Sequence, residues 1–221
     1  MQLEPTPRTK VRRRAGRASY DRAVIDAILD EGLVGHVGIC DSDGQPFVLP
    51  VVYARERDTL YVHGSPLSRL LQELGGGGRM CLTVTLLDGV VLARSAFHHS
   101  LNYRSVMVLG EGRLIVDPEQ RRAALRTVVE HVAEGRSREV RGPSAEELDA
   151  TAVVALPLRE ASAKIRTGPP IDAAADRSLA VWAGVVPLRL EAGPPLPDPR
   201  CDLQAPEYLR SYCRHATVDA A

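Results

Sequence analysis

Hydrophobic and polar positions alternate with a strand period along most of this chain and follow a helical period in only a few segments. A helical spacing runs from Val24 to Leu29, with Ser19 as the candidate N-cap and Gly32 at its end. Three strands with short connections are predicted next, namely VGHVGIC (34–40), PFVLPVVYA (46–54) and TLYVHG (59–64). The turn DSDG (41–44) suits a tight reversal, so these strands should form an antiparallel meander.

The next part of the chain continues with strands interrupted by helices. Ser65-Pro66 predicts the start of a short amphipathic helix, which the glycines beginning at Gly75 stop. A long β-rich segment, 80–97, is bent at Asp88-Gly89. Four further elements are predicted, namely a strand pair or bulged strand over 102–116, a helix from Asp117 to about Glu134, a short helix at Ala145–Asp149 and a strand over 151–165.

The order of these elements predicts the fold class. Helix, strands, short helix, strands, long helix and strand follow one another, which favours a mainly β, mostly antiparallel barrel with peripheral helices over a βαβ sheet. We expect three parts: a basic N-terminal arm (1–18), a barrel domain (19–190) and a Pro-rich C-terminal arm (191–221). The C-terminal arm is expected to lie on the surface or on a second subunit.

Charge and cysteine content narrow the function classes. The 221 residues carry 28 basic and 28 acidic side chains, so the balance gives no reason to expect a nucleic acid or an anionic membrane as partner. The four cysteines form no CxxC pair, which favours free thiols in a reducing compartment over disulfides or zinc. The basic N-terminus resembles no secretory signal and no apolar run reaches roughly 18 residues, so we expect a cytoplasmic protein.

The stretch LYVHGSPLSR (60–69) joins a strand to a helix and gathers polar residues at the junction. A helix start leaves backbone N–H groups unpaired, Ser65 and Ser68 add hydroxyls, and Arg69 supplies a planar guanidinium. These groups suit a phosphate. A Ser-Pro pair is also an ordinary helix start, however, and a helical arginine usually points to water. The residues by themselves leave both interpretations open.

A second polar stretch, FHHSLNYRS (97–105), puts Arg104 on one face of the following strand and Ser105 on the other. The adjacent His98 and His99 invite a metal interpretation. No dense ligand spacing supports it, and neighbouring side chains on a strand point to opposite faces, so no metal site is predicted. A nucleophilic hydrolase is not indicated either, because the chain has no G-x-S-x-G motif.

Five ordered fragments resemble the pyridoxamine 5′-phosphate oxidase-like superfamily, and within it the flavin-nucleotide-binding branch that includes the nitroimidazole-resistance (Nim) reductases. The fragments are GQPFVLPVVY, LYVHGSPLSR, LARSAFHHSLNYRSVMVLGEG, SAKIR and VWAGVVPL. They lie between about Arg17 and Leu190. The resemblance implies an FMN-binding split β-barrel with Greek-key strand order, usually a homodimer with two FMN sites at the subunit interface.

The resemblance also implies a cofactor site at the strand-to-helix junction. Ser68 and Arg69 match the Ser-Arg of the oxidases' phosphate-binding segment, with Gly64 and Ser65 beside them. His63 matches a histidine of the Nim-like branch that lies next to the flavin and the substrate, and it is the candidate catalytic residue. An imidazole with a pKa of about 6.5 can donate a proton near neutral pH. The alternative for His63 is a neutral imidazole hydrogen-bonded in the barrel wall.

Other parts of the chain match further cofactor contacts. Val51 and Val52 match the strand whose backbone faces the isoalloxazine ring. Ser105 matches a polar residue of a later strand that touches the cofactor, and Arg104 beside it is a candidate phosphate contact. Trp182 resembles the C-terminal tryptophan that closes over the flavin in the oxidases.

The sequence also departs from the oxidases. They follow the Ser-Arg with a lysine, where this chain has Leu70, and they carry an arginine where it has Val48 and Leu49. These missing charges imply weaker FMN binding than in the oxidases. The oxidases' substrate-phosphate contacts have no clear match near the C-terminus, which argues against pyridoxamine 5′-phosphate as the substrate. Lys164 and Arg166 alternate onto one strand face, which is either solvated or in contact with a flavin across the dimer.

The expected function is therefore that of an FMN-dependent oxidoreductase. It would reduce a small, flat electrophile such as a nitro-aromatic at the dimer interface, with NAD(P)H as a candidate electron donor. Two alternatives stay open. One is a heme-binding split-barrel protein with His63 or His99 as axial ligand, and the other is a flavin-binding module without turnover.

Overall fold

The structure is a computed structural model and describes residues 1–214. The strands of this part are β1 (Ala18–Ser19), β2 (Val34–Cys40), β3 (Pro46–Glu56), β4 (Thr59–Gly64), β5 (Arg79–Leu92), β6 (Ser100–Glu111), β7 (Arg113–Leu114), β8 (Ala152–Pro157), β9 (Glu160–Arg166) and β10 (Gly184–Pro187). The α-helices are α1 (Arg22–Glu31), α2 (Arg69–Gly75), α3 (Pro118–Val132), α4 (Ala145–Asp149) and α5 (Glu207–Arg210). None of the helices described is long and apolar enough to cross a membrane.

The strands form one antiparallel sheet that curls into an open barrel. Their order is β1-β9-β6-β5-β2-β3-β4-β8-β7, and β10 pairs with β5 outside this path. Only Leu158 and Arg159 separate β8 from β9, yet the two strands lie near opposite ends of the order. Two residues span only about 7 Å, so the sheet has to curl back on itself. The prediction of a mainly β split barrel is confirmed.

The barrel has an inner face, which holds the core, and an outer face. Leu82, Val106 and Leu156 are fully buried on the inner face, and α1 and α2 add Leu29 and Leu74 to the same cluster. Helix α3 packs against β3, β4 and β8, but its buried residues do not belong to that cluster. Helix α3 therefore covers part of the outer face.

Strand β3 is where the barrel splits. Within the described residues, its first seven residues, Pro46 to Val52, pair with β2 alone, and the ladder to β4 begins at Tyr53. That ladder ends at Tyr53 and Val62, so Val52 and His63 are the first residues beyond it on the two strands. The first half of β3 is thus an open edge, a position that suits Pro50 because proline has no N–H to pair.

Two helices begin later than the sequence predicted. Asp21, not Ser19, caps α1 by accepting a hydrogen bond from a backbone N–H of the first turn at 2.9 Å. Ser68, not Ser65, caps α2, so Leu67 precedes the helix and its side chain is 82% exposed. Before each helix, two residues that can cap it stand two or three positions apart, and the second one is the cap. Ser65, which is not the cap of α2, closes a local turn by accepting a hydrogen bond from the N–H of Leu67.

The remaining boundaries follow the prediction with two exceptions, one of which is that β5 ends at Leu92 and not at Phe97. The bend at Asp88 is a register shift between Leu87 and Gly89 in the β5–β6 ladder, and Asp117 caps α3. The segment 151–165, predicted as one strand, is the two strands β8 and β9. They pair with β4 and β6 respectively, which a pattern of alternating residues does not reveal.

Both terminal arms contact the barrel. In the N-terminal arm, Thr9 is buried, and Arg8 forms an ion pair with Glu160 of β9. The C-terminal region adds β10 to the sheet and then continues through α5. The end of the predicted C-terminal arm, residues 215–221, lies outside the described residues.

Candidate functional site

The outer face beside the open edge of β3 is apolar and exposed. Val34 pairs with Val52 across β2 and β3, and these side chains are 46% and 40% exposed, while Val48 is 67% exposed. Val51 points the other way and packs against the core. The two valines predicted beside the isoalloxazine ring therefore lie on opposite faces of β3. A contiguous apolar patch of this kind marks a surface that something else covers.

The junction between β4 and α2 keeps hydrogen-bond donors free. The hydroxyl of Ser65 accepts the N–H of Leu67 at 3.2 Å, and the hydroxyl of Ser68 caps α2, so both retain a hydrogen to donate. The guanidinium of Arg69 lies 4.4 Å from the centre of the Phe47 ring. Within residues 1–214 this guanidinium forms no hydrogen bond or ion pair. Its charge is available to an anion at the start of β3.

The position after Arg69 contributes no charge to this junction. Leu70 is 5% exposed and belongs to the core cluster, so the place where the oxidases carry a lysine faces the interior here. Val48, which stands in the region of the oxidases' other arginine, is exposed and uncharged. The residues present fit a flavin phosphate held by one guanidinium and two hydroxyls.

The structure does not bring Arg104 and Ser105 to the same surface. The guanidinium of Arg104 bonds the carboxylate of Glu31 at 2.5 and 2.8 Å and that of Asp88 at 2.8 Å. These hydrogen bonds raise the pKa of Arg104, and a phosphate would have to compete with both carboxylates. Ser105 lies on the outer face, where its hydroxyl donates to the Lys164 carbonyl at 3.2 Å.

Trp182 lies apart from Ser105 in this chain. Its ring packs over Gly184, and the side chain is 65% exposed. Strand β10, which follows it, pairs with the last residues of β5, whereas Ser105 lies opposite Thr85 in the middle of that strand. Closure of Trp182 over a flavin stays a prediction.

His63, at the point where the barrel splits, lines a cavity of about 580 Å³ next to α3. The lining residues come from β4, α3 and the segment after α3, namely His63, Arg122, Leu125, Arg126, Val128, Val129, Ser137, Arg138, Val140, Arg141, Gly142 and Pro143. Apolar side chains of α3 thus form one wall, and a set of arginines surrounds it.

Burial favours the neutral form of the His63 imidazole. Its Nδ1 atom is buried and has no hydrogen-bond partner among the described residues, so any contact with a ligand in the cavity falls to Nε2. Burial lowers the pKa of His63. The neutral ring is the form that binds a metal, whereas the predicted proton donation needs the protonated form that burial disfavours.

The arginines of the cavity differ in how far they are already engaged. Arg122 donates to the Pro143 carbonyl, and Arg141 forms an ion pair with Glu147 at 2.6 Å. Arg126 has no hydrogen bond or ion pair within residues 1–214. A neutral histidine, an apolar wall and cations at the rim together fit a heme, whose ring is apolar and whose propionates are anionic. No group of three or more His, Cys, Asp or Glu that could hold a metal ion occurs in the described residues.

Comparison with known proteins identifies the family of this chain. A sequence profile of the pyridoxamine 5′-phosphate oxidases matches residues 21–165, which hold most of the barrel. The chain belongs to this family. Among solved structures, the flavocytochrome Anf3 from Azotobacter vinelandii is 44% identical, with a TM-score of 0.87, over 95% of this chain and 98% of the other. The FAD and heme binding protein from Mycobacterium smegmatis is 35% identical, with a TM-score of 0.84, over 88% and 96%.

A third solved structure is similar to the chain at lower identity. A structure described as a 5-nitroimidazole antibiotic resistance protein from Bacteroides thetaiotaomicron is 26% identical, with a TM-score of 0.58, over 67% of this chain and 86% of the other. No curated protein matches the chain. The predicted membership of the superfamily is confirmed.

Sequence reasoning missed the α3 side of the His63 cavity. Arg122 and Arg126 are four positions apart on one helical face, a spacing that the sequence does display. Nothing local indicates that this face meets His63, because the contact joins segments about 60 residues apart in the chain. Arg138 and Val140 enter the cavity through an irregular segment without any periodic signal.

Proposed function

We propose that this protein binds a flavin and a heme and transfers electrons between them and a small electron acceptor. The two relatives that resemble nearly the whole chain, at 44% and 35% identity, are a flavocytochrome and an FAD and heme binding protein. The observation in this chain that carries the proposal is the neutral His63 in the wall of a cavity of about 580 Å³ with arginines around it.

The flavin part of the proposal rests on the open edge of β3 and the junction that follows β4. Arg69, fixed on Phe47 and otherwise unpaired within the described chain, would hold a flavin phosphate together with the Ser68 hydroxyl. The family resemblance implies FMN, and the Mycobacterium smegmatis relative binds FAD. Both cofactors contain the phosphate that these groups suit.

The heme part of the proposal rests on His63. In this proposal Nε2 of His63 would bind the heme iron, Leu125 and Val129 would pack against the porphyrin, and Arg126 would hold a propionate. His63 and Val52 are the first residues beyond the β3–β4 ladder, so the two proposed cofactor positions adjoin. When bound, a flavin supplies hydride and single-electron transfer and a heme supplies single-electron transfer.

The proposed activity is the reduction of a small, flat electrophile of the nitro-aromatic class, with NAD(P)H as the electron donor. The likeness to the nitroimidazole resistance protein supports this substrate class. The chain itself contributes an apolar outer face, which excludes water from a planar substrate. His63 serves as a ligand in this proposal and not as an acid, because burial keeps it neutral.

We also propose that the protein is a homodimer whose subunits cover each other's apolar outer face. Val48, Val34 and Val52 would be buried by the second copy. Val48→Asp should convert the dimer to a monomer in sedimentation equilibrium. The matched control Leu196→Asp changes a side chain that is 91% exposed in the C-terminal segment and should leave the dimer intact. A monomeric unmodified protein would contradict this part.

The absorption spectrum of the purified protein tests the cofactors. Flavin bands and a Soret band are expected, and mass spectrometry of the released cofactors separates FMN from FAD. His63→Ala should lose the Soret band on titration with hemin, whereas His99→Ala, which changes an exposed side chain outside the His63 cavity, should keep it. If the protein takes up neither FMN nor FAD, the proposal that it binds a flavin is wrong. If the Soret band is unchanged in His63→Ala, the proposal that His63 binds the heme is wrong.

A further inference from the structure

A second cavity, of about 420 Å³, lies where the N-terminal arm meets β9 and the turn before β6. Five cationic side chains line it, namely Arg13, Arg14, Arg17, Lys164 and Arg166, and none of the lining residues is acidic. The chain as a whole carries no net charge. The cavity is therefore a local concentration of positive charge and not part of a generally basic surface.

Arg166 is the buried member of this group. The residue is only 5% exposed. Its guanidinium donates hydrogen bonds to neutral acceptors, namely the Asn102 side chain, the Gly168 carbonyl at 3.2 Å and the Pro169 carbonyl at 3.1 Å. Burial, and then the neighbouring charge of Arg17, lower the pKa of Arg166. A buried cation with no carboxylate beside it is unfavourable, and an anion in the cavity would offset that cost.

The backbone of the arm is shaped so that its arginines reach this cavity. Arg14 has a φ of 58°, in the left-handed region that residues other than glycine seldom adopt. The carbonyl of Arg14 accepts the N–H of Arg17 at 2.9 Å, and Ala18 then pairs with Lys164 of β9. The side chains of Arg13, Arg14 and Arg17 form no hydrogen bond or ion pair within residues 1–214. This turn therefore brings to the cavity three arginines whose charges the described chain leaves unpaired.

The rim of the cavity carries an exposed aromatic ring. Phe97 is 89% exposed and contacts His98 edge-on, with ring centres 5.2 Å apart. A cluster of cations beside an exposed aromatic ring matches the two parts of a nucleotide, since phosphates bind the cations and a base stacks on the ring.

We propose that this cavity binds the diphosphate group of a nucleotide, with Phe97 against the base. Two sources carry this group. One is a bound FAD, whose flavin phosphate is one of the two phosphates of this group. In that case the inference rests on the flavin binding proposed above, with the diphosphate in this cavity in place of the Arg69 junction. The other is a separate nucleotide, such as a dinucleotide electron donor. Five cations exceed what one phosphate requires, which favours a diphosphate over a single phosphate.

The test is calorimetric titration of the full chain with ADP, inorganic pyrophosphate and adenosine, before and after removal of any bound flavin. Flavin content is measured separately by absorbance. ADP and pyrophosphate should bind and adenosine should not. Arg17→Gln and Lys164→Gln should each weaken ADP binding roughly tenfold or more, since each removes a charge-assisted hydrogen bond. Arg12→Gln, the same charge change on an exposed arginine of the arm outside the cavity, is the matched control.

Each outcome decides a point. ADP binding that appears only after flavin removal identifies the ADP half of FAD as the occupant, and binding in both forms identifies a separate nucleotide. The inference is overturned if ADP binds neither form, or if Arg12→Gln weakens binding as much as Arg17→Gln. A protein without flavin that binds ADP would contradict the proposed function while supporting this site. Phe97→Ala should reduce the affinity for ADP toward that for pyrophosphate.

Discussion

The outer face of the barrel has two halves, which differ in whether a helix of the same chain covers the sheet. Over β4, β8 and the end of β3, helix α3 covers the sheet, and Val153 and Ala54 are fully buried although they point away from the core. Over β2 and the first half of β3, similar apolar residues such as Val34 and Val48 stand exposed. We refer to these as the covered half and the open half.

The difference shows that similar strand sequences acquire different roles from what lies over them. In the covered half, α3 leaves one gap, the cavity at His63, and places arginines around it. In the open half, residues 1–214 supply apolar surface and Arg69, which has no ion pair among them, but no element that covers the sheet. The covered half therefore holds a cavity enclosed by one chain, and the open half leaves an apolar surface of the kind that a ligand or a second chain buries.

The largest effect is expected from a charge placed under α3. Val153→Asp would bury a carboxylate at a position that is 0% exposed and should lower the free energy of unfolding by about 4 kcal/mol. Val52→Asp, the matched change in the open half, should cost less than about 0.5 kcal/mol when both changes are made in the monomeric Val48→Asp background, where no second copy buries Val52. Urea denaturation measures both. Equal losses would show that the two halves are not different.

A smaller loss is expected where an arginine is already paired. Arg104→Ala removes the guanidinium bonded to Glu31, whose side chain is 7% exposed, and to Asp88. Breaking this ion pair should cost about 3 kcal/mol in urea denaturation. Flavin affinity per folded molecule should not change if Arg104 has only this role. A selective loss of flavin affinity, with stability retained, would restore Arg104 as a phosphate contact.

Substitution of Arg69 should have the opposite effect to that of Arg104, lowering flavin affinity and leaving stability nearly unchanged. Arg69→Ala should weaken flavin binding by roughly 1–3 kcal/mol, because it removes a charge-assisted contact to the phosphate. Stability should change little, since the guanidinium rests on the Phe47 ring and forms no ion pair in the described chain. Fluorescence titration with FMN and FAD measures the affinity. Unchanged affinity would mean that Arg69 is only a surface residue.

The smallest effect concerns pH and the covered half. Burial lowers the pKa of His63 and of His131 in the folded protein. In the unfolded chain a histidine has a pKa of about 6.5. Above that pH both states are neutral and these groups have no effect. As the pH falls below about 6.5, the unfolded chain takes up protons that the folded chain resists, so the unfolding free energy decreases. Each unit of pKa shift accounts for at most about 1.4 kcal/mol.

His63→Gln isolates the contribution of one of these rings. As the pH falls from about 6.5 to the lowered pKa of His63, the unfolding free energy of the variant should decrease less than that of the unmodified protein. Above about pH 7 the unfolding free energies of the two proteins should change with pH in the same way. Urea denaturation across this range measures the difference. Identical slopes at low pH would show that His63 is not buried as a neutral ring.

Much of the fold could be predicted because its signals are local. The bounds of β2 (Val34–Cys40) and β4 (Thr59–Gly64) coincide with the predicted strands, since alternation and turn residues mark both ends. Helix caps were less certain, because Ser65 and Ser68 can each cap a helix and local turn formation decided between them. The pairing of β8 with β4 and of β9 with β6 depends on the curl of the sheet and leaves no trace in the alternation.

The candidate site was predictable in part for the same reason. His63 and Arg69 stand out within one short stretch, and their positions at the split and beside Phe47 agree with a site there. Arg104 looked equivalent to Arg69 in the sequence. Its carboxylate partner Glu31 is 73 residues away, so its engagement became visible only in the folded chain.

By itself the sequence determined which segments become strands and helices and which residues carry charge, because these follow from periodicity, turn chemistry and residue type. The tertiary structure decided which charges are neutralised and which are left over. It paired Arg104 with Glu31 and left Arg69 without an ion pair in the part of the chain that the structure describes. It also brought α3 over His63 and the N-terminal arginines to Arg166. Electrostatic and burial energies depend on distance in space, and the closing of the barrel fixes those distances between residues far apart in the chain.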